Sequence, residues 1–121
     1  KGSASHERVD TVLKALEMVR ERRPELLIDG ELQLDSAIVP EVAARKVKGG
    51  SPVAGKANIL IFPDLNSGNI GVKLVQRFAN AVAYGPLLQG FVKPVSDLSR
   101  GAPVEEIVGA TTMVAVRAQN K

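Results

Sequence analysis

The chain has 121 residues, 45% of them hydrophobic, with a formal net charge of +3 and no cysteine, which is enough for one small globular core. No apolar block approaches the roughly 20 consecutive apolar residues that span a bilayer. Nor does the opening Lys1-Gly2-Ser3-Ala4-Ser5 contain an apolar signal-peptide stretch, and the lack of cysteine removes disulfides and thiolate metal sites. The cations fall where helix ends would put them, and three phenylalanines with one tyrosine are few for stacking bases. Composition thus reads against nucleic acid and membrane, and toward a cytoplasmic protein whose slight positive excess suits an anionic metabolite.

Val9, Val12, Leu13, Leu16 and Val19 recur at three- and four-residue spacing, which predicts a helix capped by Ser5 and stopped by Pro24. Leu26 to Gly30 reads as a short buried strand. A second helix is expected from about Ser36 to Lys46, with Pro40 tolerated only near its first turn. Residues 48–55 concentrate Gly and Pro and read as a loop.

Asn58-Ile59-Leu60-Ile61-Phe62 is the clearest strand, an apolar run without polar alternation, as in a parallel sheet covered on both faces. Asn66, Ser67 and Asn69 supply capping chemistry for a third helix carrying Ile70, Val72, Leu74, Val75 and Phe78. A last strand, about Pro86 to Phe91, leads into a polar loop, Lys93 to Gly101. Pro103 suits the first position of a final helix, about 103–119. Helices alternating with strands predict an α/β fold, a three-layer sandwich with a mostly parallel sheet.

In such sheets ligands bind beyond the carboxyl ends of the strands, and two loops occupy that position. The first places Asp64, Asn66, Ser67 and Asn69, with Gly68 and Gly71, at a helix start. Backbone N–H groups there could cradle a phosphate, or the residues could be plain caps. The second sets Ser99-Arg100-Gly101 before a helix whose first turn carries Glu105 and Glu106. A guanidinium at that place can grip phosphate or carboxylate oxygens bidentately, while first-turn acids also have an ordinary dipole explanation. His6 reads as an exposed terminal residue, and Asp29, Glu31 and Asp35 match no metal-ligand spacing, so no metal is assigned.

Four runs together resemble the phosphate acetyltransferase (phosphotransacetylase) and phosphate butyryltransferase family: Asp29 to Gln33, Ser51 to Ala57, Phe62 to Gly71, and Gly85 through Gly101. The resemblance covers the whole chain, residues 1–121, and marks it as the C-terminal part of a longer enzyme with two α/β domains. It implies reversible transfer of an acetyl group between coenzyme A and inorganic phosphate by the longer chain, with this piece inactive alone. The last helix, about 103–119, is then expected to pack with the missing N-terminal part. Ser99 and Arg100 match the family's catalytic serine and arginine, and Glu106 stands where an aspartate base is usual. Ala102 replaces a cysteine found in some relatives.

By the same resemblance Asp64, Asn66, Ser67, Asn69 and Lys93 contact substrate. The partners implied are coenzyme A or acetyl-CoA, acetyl phosphate and inorganic phosphate, with no tightly bound cofactor and a homo-oligomeric assembly. Two other readings of the same architecture are a phosphate butyryltransferase and a silent acetyl-CoA-sensing domain fused to a malic enzyme.

Overall fold

The computed structural model describes Gly2 and residues 4–119. These fold as two compact units, residues 1–65 and 66–121. Helix α1 spans Glu7–Arg22, α2 Leu34–Ile38, α3 Pro40–Lys46, α4 Leu65–Phe78 and α5 Val104–Gln119. Strands β1, Leu87–Leu88, and β2, Val95–Ser96, lie between α4 and α5.

Helix α1 forms on the face expected from its spacing: Leu16 is buried and Val9, Val12 and Val19 are half-buried. Its cap differs from the expected Ser5. His6 holds the extended cap conformation, and its Nδ1 accepts from the Arg8 N–H at 3.2 Å, so the imidazole takes the place of the usual hydroxyl.

Where one helix was expected over Ser36–Lys46, two form. Val39 adopts φ −111° and ψ 113°, and Pro40 opens α3. The pyrrolidine ring drives the preceding residue out of the helical region and removes the N–H that would have donated to the carbonyl four residues back. That carbonyl belongs to Ser36, which is only 1% exposed. It is satisfied instead by the Gly55 N–H at 2.9 Å, while the Ala57 N–H donates to the neighbouring Ala37 carbonyl at 3.0 Å. The chain at Gly55–Ala57 therefore folds back to replace the donor that the proline removed and to serve the carbonyl beside it. Ala37, Ala43 and Val47 complete this small core.

The strand readings at Leu26–Gly30 and Asn58–Phe62 need correction, because both segments are irregular. A ladder needs neighbouring strands on which to place its N–H and C=O groups, and among the described residues neither segment has one. Near Gly30 the polar groups go to side chains: Arg20 Nη2 donates to the Ile28 carbonyl and to Asp29 Oδ1, and Asp29 Oδ1 also accepts from the Gly30 N–H. Ile59 and Ile61 stand 73% and 84% exposed, the reverse of a covered sheet.

In the second unit the expected strand at Pro86–Phe91 shortens to β1. It pairs antiparallel with β2, Leu87 opposite Ser96 and Leu88 opposite Val95. Strand β2 lies in the stretch expected to be a polar loop. The one sheet among the described residues is thus a two-stranded antiparallel ribbon, and the mostly parallel sheet is not formed within them. Gly90, at φ +83°, sits in the connection, a conformation that glycine adopts without steric cost. Ser96 Oγ and the Asp97 N–H both donate to the Pro86 carbonyl, at 2.8 and 3.3 Å, closing the base of the ribbon. Helix α5 packs on β2, with Ala110 buried.

Helix α4 buries none of its residues. Leu65, Ile70, Val75 and Phe78 are all exposed, Phe78 by 85%. An amphipathic helix ordinarily turns its apolar stripe inward against a neighbour, and among the described residues this stripe is left exposed.

Candidate active site

The two loops singled out in the sequence both border helix starts. Helix α4 begins at Leu65, so Asn66, Ser67 and Asn69 lie within its opening turns rather than ahead of them, and Asp64 immediately precedes it. Asp64, Asn66 and Asn69 are exposed and Ser67 is half-buried. Lys93 is exposed in the connection between β1 and β2.

The second loop is a turn. The Ala102 N–H donates to the Ser99 carbonyl at 2.9 Å, which leaves Arg100 and Gly101 as its central pair. Ser99 and Arg100 are both exposed. The Ile107 N–H donates to the Pro103 carbonyl at 3.2 Å, so the proline is the cap and Val104 the first helical residue, one position later than expected. Glu105 and Glu106 occupy the first turn of α5.

Glu106 does more than face the helix dipole. Its Oε1 accepts from Gln76 Nε2 of α4 at 2.9 Å and from the Ala83 N–H at 3.4 Å. Gln76 in turn accepts at Oε1 from Lys73 Nζ at 3.2 Å. Glu106, Gln76 and Ala83 are half-buried. The structure therefore brings Glu106 to the later part of α4, roughly 15 Å of helix rise beyond Asn66, and not to the opening turn of that helix.

Gln76 was missed in the sequence. A single glutamine within an amphipathic run looks like solvated surface, and no local spacing announces a carboxylate that lies thirty positions on.

Elsewhere, of the three carboxylates considered for a metal, Glu31 accepts from the Gly2 N–H and the other two are engaged with cations. Asp29 pairs with Arg20 at 3.2 Å and Asp35 with Lys46 at 2.7 Å. Among the described residues no three His, Asp or Glu side chains converge as metal ligands, and no helix is long and apolar enough to cross a membrane. An open concavity of about 300 Å³, lined by Pro40, Ala43, Val47, Gly50, Ser51 and Lys56 among others, belongs to the first unit and includes none of the expected site residues.

The sequence matches the family described as phosphate acetyl/butaryl transferase over residues 1–115. It is 59% identical to a phosphate acetyltransferase of Acetivibrio thermocellus across 98% of this chain and 35% of that relative. With one of Borreliella burgdorferi it shares 60% identity, covering 94% and 32% respectively. A crystal structure of a phosphotransacetylase from Streptococcus pyogenes superposes with a TM-score of 0.90 at 49% identity, over all of this chain and 36% of that one. The chain thus spans about a third of the length of the relatives it matches. On the strength of a match that takes in Asp64 through Glu106 and nearly every other residue, the chain belongs to the phosphate acetyl/butaryl transferase family.

Proposed function

We propose that this chain is the C-terminal portion of a cytoplasmic phosphate acetyltransferase that interconverts acetyl-CoA and phosphate with acetyl phosphate and coenzyme A. The observation that carries the reading is the 59% identity to a phosphate acetyltransferase across 98% of the chain. A coenzyme A thiol with a cysteine-like pKa of about 8.5 is mostly protonated at neutral pH. Glu106 takes that proton as sulfur attacks the acetyl carbonyl carbon of acetyl phosphate. Arg100 neutralises the phosphoryl oxygens, and Ser99 donates a hydrogen bond to the oxyanion of the tetrahedral intermediate. The carbon–oxygen bond to phosphate then breaks, the carbonyl re-forms, and inorganic phosphate leaves with acetyl-CoA as the other product.

Asp64, Asn66, Ser67, Asn69 and Lys93 serve substrate binding in this reading. The rest of the longer polypeptide supplies the neighbours that Asn58–Phe62 needs to join a mostly parallel sheet within a three-layer arrangement. It also covers α4 and packs on the final helix. The working enzyme is a homo-oligomer. Acyl transfer without a metal ion or tightly held cofactor follows from the same scheme.

Arg100→Gln in the full-length protein tests the assignment: acetyl exchange between coenzyme A and phosphate should fall to a small residue of the parent rate, and full turnover would remove the proposal. The family description also names the butyryl reaction, so butyryl phosphate assayed beside acetyl phosphate distinguishes the two acyl specificities.

A further inference from the structure

We propose that Gln76 is a positioning residue for Glu106, holding one carboxylate oxygen so that the other is presented to the thiol proton. The proposal rests on the reading of Glu106 as proton acceptor and adds a residue to it. Both hydrogen bonds to the carboxylate described above, from Gln76 Nε2 and from the Ala83 N–H, converge on Oε1. Two donors on one oxygen fix the plane of the carboxyl group, and Oε2 is left as the atom that receives the proton.

Lys73 settles which end of the Gln76 amide faces the carboxylate. An ammonium group can only donate, so its contact with Gln76 Oε1 at 3.2 Å turns the amide NH₂ toward Glu106. The three residues form a line from the exposed surface of α4 to the first turn of α5: Lys73, Gln76, Glu106. Because glutamine is neutral, it orients the carboxylate without the permanent counter-charge that an arginine there would bring.

Steady-state kinetics of the full-length protein test this with Gln76→Met, Glu106→Gln and the double variant, each confirmed as folded by circular dichroism. Glu106→Gln should abolish most turnover. Gln76→Met should lower kcat by about ten- to thirty-fold with KM for acetyl phosphate and coenzyme A within about two-fold of the parent. In the Glu106→Gln background the same change should cost almost nothing further, because a residue acting through Glu106 has nothing left to act on. Undiminished kcat in Gln76→Met, or an equal loss in both backgrounds, overturns the positioning role while leaving the base assignment intact. Undiminished kcat in Glu106→Gln overturns the base assignment itself, and the positioning role with it. Should Gln76→Met fail to fold, Gln76→Asn, which keeps the amide but withdraws it by one methylene, decides on the same kcat criterion.

Discussion

The Tyr84 ring lies directly against Gly109 of α5, so that a Cβ at Gly109 would fall 2.1 Å from the ring carbon Cδ1 and 2.2 Å from Cε1. Contacts that short force one partner to move. Glycine within a helix ordinarily loses about 1 kcal/mol to alanine on propensity, whereas overpacking costs roughly 1–3 kcal/mol. Gly109→Ala should therefore destabilise the full-length protein by about 1 kcal/mol in chemical denaturation. Tyr84→Ala should relieve the clash, making the double variant more stable than the two single effects add to; strict additivity would show that the ring and the glycine do not constrain each other.

Gly55 is held more rigidly, because its neighbour is backbone. At φ +79° an added Cβ would lie 2.8 Å from the Pro40 Cα and 3.1 Å from the Ala43 Cβ. The left-handed conformation alone costs a non-glycine residue roughly 1–2 kcal/mol, and the clash adds a comparable amount. Gly55→Ala should lower stability by about 2–4 kcal/mol, the larger of the two glycine effects. Parent-like denaturation would rule out the backbone contact.

Acidification should release the Asp35–Lys46 pair. The hydrogen bond from Lys46 Nζ is the main cause holding the Asp35 carboxyl below its ordinary value of 3.8; desolvation opposes it, and the Ser36 N–H adds a lesser downward pull. Since the folded carboxyl titrates lower than the unfolded one, its contribution is complete above about pH 3.8 and disappears as pH falls through the folded value. Lys46→Met should move the Asp35 carboxyl titration upward toward 3.8 in an NMR pH series. An unmoved titration would mean that the pair exerts no such hold.

Ser99 and Arg100 should separate in severity. A single hydrogen bond to an oxyanion contributes about 10²-fold in kcat, so Ser99→Ala should leave measurable turnover with KM for acetyl phosphate little changed. Arg100→Gln should impair both kcat and acetyl phosphate binding, as expected if, in the proposed scheme, the guanidinium grips phosphate before and during reaction. Equal losses from the two variants would argue against this division of roles.

Local chemistry was the legible part of the fold. Helix α1 followed its apolar spacing and the glycines of residues 48–55 marked a loop, each through interactions within a few residues, whereas Pro40, read as tolerated within one helix, split that helix in two. The strands were misjudged because Asn58–Phe62 reads the same whether or not neighbours are at hand; apolar runs report what a segment needs, not what is present beside it. At the candidate site the turn at Ser99 and the acids after Pro103 could be named in advance, since caps and turns are local. The Gln76–Glu106 bond joins two helices far apart in the chain, and single-residue patterns carry no record of such a meeting.

The uncovered face of α4 has a practical consequence for handling. With Leu65 and Phe78 at its two ends standing 77% and 85% exposed, the segment on its own presents an apolar stripe to water, and such stripes adhere to one another. Expressed alone, it should cluster as its concentration rises, visible as growing light scattering, while the intact polypeptide should not. A monodisperse excised segment would mean that α4 finds cover within its own residues.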